Sequence, residues 1–572
     1  MKSMLTATLT ASLCVMLAAC ERGAAPAAAV DAPSPEALTE HSAEFRREVI
    51  KVTDGVWVAI GYGIANSILL EGDDGLVIVD TMESRQAAAQ VHAEFAAISR
   101  KPIKAVIYTH SHPDHIGGAA EFAGPGVAVI AHDDVGAHMD QLASELQPVI
   151  TQRSLHMYGT KLPQGERVNI GIGGFLNLDA ESTLDTVRPT QTFGEQLDLR
   201  IAGIDLQLRH APGETDDQIL VWLPQRGVLL CGDNFYKAFP NLYTIRGTRY
   251  RDPKRWAASL DAMRALQPRY LVPSHSRPLS GADPIASVLT DYRDAIRYVH
   301  DQTLRLMNRG LLPDEIAQQL QLPPHLAASP YLQPFYGKPS WSAKSIFAGN
   351  LGWYSGDPAE LQPLPPDAQA QRIVALAGGL EAVDRQITAA IEAKDWQWAL
   401  QLSGYALRVA PQHAAARDAR IAALRALADA ETNPPARDWY YTSAHTLAGD
   451  FSVPRREGKP SAAMLAGMPL RVFFDGMAVN LHAEDTLDQV IRVGLIFTDP
   501  DARYTYTVRR GVSELQAGIA DDVALQVRVP TQVFKETLAG LRSPAMAIAR
   551  DFDMERGSKL DFVRFMQLFE PQ

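Results

Sequence analysis

The sequence predicts a multidomain protein in which an α/β region is followed by a helical region and then by a smaller α+β region. Two observations lead to this fold class. At 572 residues the chain is too long for one hydrophobic core, and the spacing of its apolar residues changes along it. Short strands dominate up to about residue 280, helical spacing follows from 285, and strands return after 467.

Composition and charge exclude some classes of function. The sequence has 46% apolar and 21% charged residues, as in an ordinary globular protein. Its formal net charge of −12 argues against nucleic acid as a partner, because nucleic-acid-binding proteins present basic surfaces to phosphate groups. Of the three cysteines, only Cys231 lies beyond the amino-terminal segment, and the apolar run around it predicts a buried, inert thiol.

Residues 1–20 have the pattern of an export signal, with a positive charge at Lys2 followed by an apolar stretch. The sequence Leu17-Ala-Ala-Cys20 resembles the lipobox of bacterial lipoprotein precursors. That resemblance implies cleavage before Cys20 and its lipidation, which would give an exported periplasmic or outer-membrane-anchored protein that contacts the membrane through its anchor. The alternative is a plain secretory signal that is cleaved later. Residues 21–44 are expected to form a flexible tether.

A dense group of metal-ligand side chains follows the apolar strand predicted at 104–108. The stretch from Tyr108 to Gly118 reads Tyr-Thr-His-Ser-His-Pro-Asp-His-Ile-Gly-Gly. It places three imidazoles and a carboxylate within six residues, at His110, His112, Asp114 and His115. Imidazole nitrogen and carboxylate oxygen are ordinary ligands of zinc. We therefore predict a divalent metal site here.

Three further candidate ligands follow later turns or strands. Glu214 lies in the turn after Pro212-Gly213, Asp233 follows the strand predicted at 228–231, and His275 follows the strand predicted at 270–273. Open α/β sheets place ligands beyond the carboxyl ends of their strands, so these residues are expected to meet the first cluster. We predict two zinc ions, one held by His110, His112 and Glu214, the other by Asp114, His115 and His275, with Asp233 bridging them.

Over residues 45–284 these motifs resemble the metallo-β-lactamase fold, a four-layer αββα sandwich, which we expect to be the catalytic domain. Most members of that superfamily carry His at the position of Glu214, and a carboxylate there is typical of the alkylsulfatase branch. The sequence departs from that branch at Asp233, where Glu is normal, and at Trp341, where His is usual. Three further stretches are similar to the branch, namely Met157–Gly159, Asn241–Gly247 and Gly352–Pro358.

The resemblance implies zinc-dependent hydrolysis of alkyl sulfate esters to alcohol and inorganic sulfate, by a hydroxide shared between two zinc ions per subunit. Arg246 suits the sulfate group because a guanidinium forks onto a tetrahedral oxyanion. The residues that the branch implies as substrate contacts are Asn241, Arg246, Tyr158 and Trp341. Those predicted to be catalytic are Asp114, Arg246 and Tyr158. From their positions beside these motifs, we expect an apolar channel for the alkyl tail lined by Leu162, Phe235, Tyr236, Phe239 and Trp341.

The third quarter of the chain is predicted to be helical. Apolar spacing predicts helices over 285–308 and through most of 368–430. The resemblance implies that residues 285–435 form an all-α dimerisation domain, and therefore a homodimer. The spacing within 396–411 resembles a tetratricopeptide helix pair, and a plain helical hairpin packed on the main domain is the alternative.

Asn433-Pro-Pro-Ala436 is predicted to be a linker because of its turn-forming composition. Beyond it, alternating apolar residues predict strands, the first at Leu470–Phe474. This last region, 436–572, resembles the sterol-carrier-protein-like α+β domain that ends alkylsulfatases, which implies an apolar surface for alkyl chains. The alternative is an ordinary sheet-and-helix core that only packs on the rest.

Two other functions stay open at this point. A metallo-β-lactamase-fold hydrolase of another ester class, acting on a lactone, β-lactam or phosphoester, would use the same metal ligands but would not need Arg246. A non-catalytic lipid-binding lipoprotein would use only the terminal domain. Loss of several metal ligands would favour the second alternative, and none of them is lost in this sequence.

Overall fold

The structure is a computed structural model that describes residues 33–569. The predicted export signal and the proposed lipidation site at Cys20 lie outside these residues. Among the helices of residues 33–569, none combines the length and the apolar character that crossing a bilayer requires.

The first half of the chain folds into two sheets that face each other. Its strands are β1 Glu48–Thr53, β2 Val56–Ile60, β3 Ser67–Glu71, β4 Leu76–Val79, β5 Ile103–Ile107, β6 Ala128–His132, β7 Thr183–Leu184, β8 Gln191–Phe193, β9 Gln196–Ile201, β10 Ile204–His210, β11 Ile219–Leu223, β12 Val228–Gly232, β13 Tyr270–Pro273 and β14 Leu279–Ser280. The larger sheet has the order β1-β2-β3-β4-β5-β6-β8, and the smaller has the order β14-β13-β12-β11-β10-β9. Strands β4, β5 and β6 run parallel to one another, as do β12 and β13.

Helices cover both outer faces and complete a four-layer αββα sandwich. The helices of this half are α1 Pro35–His41, α2 Arg85–Ile98, α3 Pro113–Ile116, α4 Val135–Gln141, α5 Gln147–Met157, α6 Pro253–Ala265 and α7 Ala282–Met307. Successive side chains of a strand point to opposite faces of its sheet, which explains the layering. Val77 and Val79 of β4 face the core between the sheets, while Ile78 faces Val91 of α2. The smaller sheet packs on α6 and α7.

Between β6 and β8 the chain leaves the sandwich and lies across the carboxyl ends of the parallel strands. This excursion contains α4, a π-helical turn at Leu142–Leu146, and α5. It reaches the strand ends directly, since the carbonyl oxygen of Ile172 lies 3.1 Å from Nδ1 of His275. The excursion therefore forms one wall of the space above the strand ends.

The predicted helical region is helical, and its helices extend beyond the predicted linker. They are α8 Pro313–Gln319, α9 Pro324–Ala327, α10 Pro339–Leu351, α11 Pro366–Leu376, α12 Leu380–Glu392, α13 Trp396–Val409, α14 Ala414–Ala430 and α15 Pro434–Ala448. The linker prediction at Asn433–Ala436 is wrong, because Asn433 is the N-cap of α15 and its side chain accepts a hydrogen bond from the amide of Ala436. Proline is tolerated in the first turn of a helix, where its missing N–H has no partner to lose.

The last region is an α+β unit. Its strands are β15 Lys459–Pro460, β16 Val490–Thr498, β17 Asp501–Arg509, β18 Val512–Ala517, β19 Leu525–Val529 and β20 Asp553–Arg556, and its helices are α16 Ala462–Gly467, α17 Leu470–Val479, α18 Thr531–Leu538, α19 Pro544–Asp551 and α20 Lys559–Gln567. Strands β16 to β20 form one sheet in the order β18-β17-β16-β19-β20, while β15 pairs with β7 of the excursion.

The strand predicted at Leu470–Phe474 is wrong, since these residues begin α17. Aromatic and β-branched residues favour strands, but the buried positions Phe474 and Met477, with the partly buried Leu470 and Phe473, follow helical spacing. Packing of that apolar face against the sheet outweighs the local preference.

Candidate metal centre and anion pocket

The carboxyl ends of three strands bring the predicted metal ligands together. His110 and His112 follow β5 and lead into the one-turn helix α3, which carries Asp114 and His115. From the opposite sheet, Asp233 follows β12 and His275 follows β13. The two sheets therefore meet at this edge and supply ligands from both sides.

Six of the seven predicted ligands form two groups of three, and within each group the ligand atoms lie within 4.8 Å of one another. The groups are His110, His112 and Asp233, and Asp114, His115 and His275. Oδ2 of Asp233 also lies 3.5 Å from Nε2 of His115 and 3.2 Å from Nε2 of His275. The same carboxylate thus faces both groups, the position that a bridging ligand requires.

Asp80, which no sequence motif indicates, orients His115 directly and His110 through Thr109. Its Oδ2 accepts hydrogen bonds from Nδ1 of His115 at 2.8 Å and from the hydroxyls of Thr109 at 2.9 Å and Ser274 at 2.7 Å. Oγ1 of Thr109 lies 3.0 Å from Nδ1 of His110. These bonds place a proton on Nδ1 of both rings and leave each Nε2 facing the centre, where Nε2 of His110 lies 2.9 Å from Nδ1 of His112.

His275 is oriented by main-chain atoms instead. Its Nδ1 lies 2.9 Å from the carbonyl oxygen of Ile64 and 3.1 Å from that of Ile172. Two acceptors on one nitrogen require that this nitrogen carry the proton, which leaves Nε2 free as a ligand. The carbonyl of Ile172 belongs to the excursion, so the excursion helps to orient a ligand.

The seventh predicted ligand, Glu214, lies outside both groups. Its Oε1 is 2.9 Å from Nη1 of Arg251, and both side chains are only 2% exposed. Its other oxygen, Oε2, is buried and has no hydrogen-bond partner within the described residues. Glu214 therefore has one oxygen neutralised by a buried arginine and one oxygen available.

The charged groups at the centre strongly affect one another's pKa values. Burial favours the neutral acid, but His275, His115 and His110 together hold the pKa of Asp233 well below its usual range. Burial also opposes protonation of His115, yet the carboxylates of Asp233, Asp114 and Asp80 raise its pKa well above the usual value. Burial raises the pKa of Glu214 against the lowering effect of Arg251.

The donor set fits a metal pair. Within the described residues, four buried atoms at the centre have no hydrogen-bond partner, namely Nε2 of His115, Nε2 of His275, Oδ1 of Asp233 and Oε2 of Glu214. Leaving a buried polar atom unpaired costs on the order of 1–3 kcal/mol, so four together need a ligand. Imidazole nitrogens and carboxylate oxygens are the donors that divalent zinc accepts.

Arg246 borders the centre on its more open side. Its Nη2 lies 3.2 Å from Nε2 of His112. Burial opposes its charge, but nearby Tyr158 and Tyr336, with Glu214, raise the pKa of Arg246, so the guanidinium stays charged. His112 and Arg246 are both half-buried, which makes this the side from which a substrate can approach.

Two phenols, Tyr158 and Tyr336, lie near Arg246, and the buried amide of Asn241 lies five positions before it in the same loop. Oη of Tyr158 lies 3.1 Å from Oη of Tyr336, and burial raises the pKa of both phenols. The side chain of Asn241 is buried and neither of its polar atoms has a hydrogen-bond partner within the described residues. Tyr336 was not predictable from the sequence, because a lone Tyr inside Pro334-Phe-Tyr-Gly337 has no motif of its own.

The structure does not gather the predicted channel residues into one wall. Phe235 and Phe239 pack in the core between the smaller sheet and α6 and α7. Tyr236 contacts the loop instead, since its Oη accepts a hydrogen bond from the backbone N–H of Asn241 at 2.7 Å. Trp341 lies half-buried on α10, with Nζ of Lys338 5.3 Å from its ring centre.

Three family descriptions match the chain in succession. The family model of the metallo-beta-lactamase superfamily matches residues 60–275. The model described as alkyl sulfatase dimerisation matches residues 312–450, and the model described as alkyl sulfatase C-terminal matches residues 459–572. Helix α15 lies within the second match.

Curated relatives and solved structures agree with these matches. A linear primary-alkylsulfatase from Pseudomonas sp. is 38% identical over 88% of this chain and 98% of its own length. An (R)-specific secondary-alkylsulfatase from Pseudomonas sp. is 30% identical over 82% and 73%. The solved structure of a stereoselective inverting sec-alkylsulfatase from Pseudomonas sp. superimposes with a TM-score of 0.86 at 27% identity, over 95% of this chain and 88% of that one. The chain therefore belongs to the alkylsulfatases, sulfuric-ester hydrolases on the metallo-β-lactamase fold.

Proposed function

We propose that this protein hydrolyses linear alkyl sulfates with two zinc ions per subunit, as an exported homodimer. The observation that carries the substrate class is the charged guanidinium of Arg246, which lies 3.2 Å from a predicted metal ligand, His112. A fixed cation beside the metal centre, with hydroxyl and amide donors around it, suits an anionic tetrahedral group.

One zinc ion would be held by His110, His112 and the free oxygen of Glu214, the other by Asp114, His115 and His275, with Asp233 between them. Such a pair of ions supplies a strong nucleophile by lowering the pKa of water. Asp80 and Thr109 keep the ring nitrogens of two ligands in the required tautomer. This orientation would be required for metal binding, because a protonated Nε2 cannot bind a metal.

The residues around Arg246 would bind the sulfate group. The guanidinium neutralises its charge, the amide of Asn241 donates one hydrogen bond, and the hydroxyls of Tyr158 and Tyr336 donate from protonated phenols. Their raised pKa values keep both phenols protonated at neutral pH. The overall reaction adds water across the ester, giving an alcohol and hydrogen sulfate.

Three features would serve this function outside the centre. The last region would offer an apolar surface to alkyl chains, as the sterol-carrier-like resemblance implies. Export and a lipid anchor at Cys20 would bring the enzyme to sulfate esters outside the cytoplasm. The match to alkyl sulfatase dimerisation supports a homodimer.

The decisive experiment is incubation of the zinc-loaded protein with sodium dodecyl sulfate, with release of inorganic sulfate measured in the presence and absence of a chelator. We expect release that stops when the metal is removed and returns when zinc is added back. Absence of release, together with hydrolysis of a lactone, β-lactam or phosphoester, would instead assign the centre to another ester class.

A second measurement tests the role of Arg246. Replacing it with Ala is expected to raise KM for dodecyl sulfate strongly, because the binding site loses its charge-assisted hydrogen bonds, which contribute about 1.5–3 kcal/mol each. Zinc content should not change, because Arg246 is not among the ligands. An unchanged KM would contradict the proposed sulfate contact.

A further inference from the structure

The loop that carries Arg246 is held by an arginine of the excursion. Nε of Arg153 donates to the carbonyl oxygen of Arg246 at 2.7 Å, and Nη2 donates to that of Ile245 at 2.5 Å. Both bonds come from one planar guanidinium, so the two peptide groups are fixed relative to each other. The contact continues at Gly247, where φ is 107° and Nε of Arg153 lies 4.0 Å from the position a Cβ would take.

The other side of Arg153 rests on the helical region. The guanidinium carbon lies 5.1 Å from the ring centre of Trp439, which belongs to α15. The same indole packs against His156, one turn further along α5, with ring centres 5.2 Å apart. Arg153 is therefore held between the loop of Arg246 and a helix of the region matched by alkyl sulfatase dimerisation.

The start of α15 reaches a second wall of the pocket. Asn433 is fully buried, and its Nδ2 donates to the carbonyl oxygens of Pro334 at 2.6 Å and Tyr336 at 3.0 Å. Tyr336 in turn carries the hydroxyl that lies 3.1 Å from that of Tyr158. One helix thus supports both the loop of Arg246 and the segment of Tyr336.

We propose that Arg153 is a positioning residue for sulfate binding, and that Trp439 on α15 holds Arg153 in place. This inference rests on the proposed function, in which Arg246 binds the sulfate group. Arg153 does not touch the substrate. It sets the main chain from which the guanidinium of Arg246 extends, and displacement of a binding group by about 1 Å is enough to lose much of its effect.

The chain offers a matched control for this role. Arg226 also donates to two main-chain carbonyls, those of Gly55 at 2.9 Å and Glu71 at 2.8 Å. It lies in the turn before β12, whereas Asp233 follows the other end of that strand. Replacing either arginine with Gln removes the same kind of bond, but only Arg153 is connected to the pocket.

The test compares Arg153→Gln with Arg226→Gln in the zinc-loaded protein. For Arg153→Gln we expect KM for dodecyl sulfate and the inhibition constant of inorganic sulfate to rise together by about tenfold, which corresponds to roughly 1.4 kcal/mol. Zinc content should stay that of the wild type. For Arg226→Gln we expect both constants within twofold of wild type, with a loss of stability comparable to that of Arg153→Gln.

Two further variants test the role of Arg153 if Arg153→Gln folds poorly. Trp439→Leu should raise the same two constants in the same direction, by less. In an Arg246→Ala background, Arg153→Gln should raise the inhibition constant of sulfate no further, because its effect passes through Arg246. Constants within twofold of wild type in both Arg153→Gln and Trp439→Leu would overturn the proposal, while sulfate release by the wild type would leave the proposed function standing.

Discussion

The carboxylate of Glu214 and the guanidinium of Arg251 form an ion pair that is almost completely buried, with a separation of 2.9 Å. Arg251 also donates to the carbonyl oxygen of Asn241 at 2.5 Å. The pair therefore connects a predicted metal ligand to the loop of a predicted sulfate contact. Because both groups are buried away from water, the charge of each is stabilised mainly by the other.

Arg251→Gln is expected to destabilise the protein strongly. It leaves Glu214 buried without its partner, and breaking a buried pair in this way costs about 3–5 kcal/mol. Chemical denaturation would measure the change in the free energy of unfolding. The matched control is Arg255→Gln, because Arg255 and its partner Asp216 are 48% and 42% exposed. Such surface pairs contribute only about 0–1 kcal/mol. Equal losses in the two variants would contradict the importance of burial.

Asp80→Asn is expected to weaken zinc binding by about 10–100-fold, the usual cost of losing an orienting partner of a metal-bound histidine. The backbone of residue 80 has φ of 60°, which Asn tolerates well, so the change affects mainly the charge. Competition with a chromogenic chelator measures the affinity. Asp74→Asn, at an exposed pair with Lys104, should leave the affinity unchanged, and wild-type affinity in Asp80→Asn would refute the orienting role.

His41 is expected to make stability depend on pH. Burial lowers its pKa to about 4, while its ring hydrogen-bonds the carbonyl of Gly171 at 2.8 Å and stacks on Phe335. The folded state thus prefers the neutral ring. Its contribution is fully present above the ordinary pKa of 6.5 and is lost as pH falls from 6.5 towards 4, by up to roughly 3 kcal/mol.

His41→Gln tests this dependence. Denaturation at a series of pH values should show a smaller loss of stability between pH 6.5 and 4 in the variant than in the wild type. The exposed His325 provides the control, because His325→Gln should keep the wild-type slope. Identical slopes in all three proteins would show that His41 does not titrate in the folded state as inferred.

The segment from Leu351, the last residue of α10, to Leu361 is expected to lie in the interface of the proposed homodimer. Leu351, Trp353 and Leu361 are 61%, 74% and 58% exposed in the single chain, and large apolar side chains exposed along one short segment mark contact surfaces. Replacing Trp353 and Leu361 with Ser should shift the protein from dimer to monomer in analytical ultracentrifugation. Leu560→Ser, at an equally exposed position of α20, should not, and a stable dimer in the double variant would place the interface elsewhere.

Local sequence explains why the metal centre was predictable. His110, His112, Asp114 and His115 lie on one short turn, so their proximity follows from covalent connectivity. Asp233 and His275 were expected because strand ends share an edge of a sheet. The structure brings these six together as two groups, with Asp233 in the first group and also close to His115 and His275 of the second.

Other features were not predictable because they depend on contacts between distant segments. No sequence motif indicates the role of Asp80, because that role depends on its contacts with Thr109, His115 and Ser274, which lie up to 194 positions away. The predicted linker at Asn433 is instead a buried N-cap that holds Tyr336. Its Pro-Pro composition fits a loop and a helix start equally well, and only packing distinguishes them.

Residue identities at short spacing were enough to predict the ligand types, and the resemblance of the motifs indicated the order of the domains and the alkylsulfatase family. How these parts cooperate depends on the tertiary fold. It paired Glu214 with Arg251, oriented the imidazoles through Asp80, and placed Arg153 between Arg246 and Trp439. The physical reason is that charge, tautomer and position are set by neighbours in space, which folding brings from far along the chain.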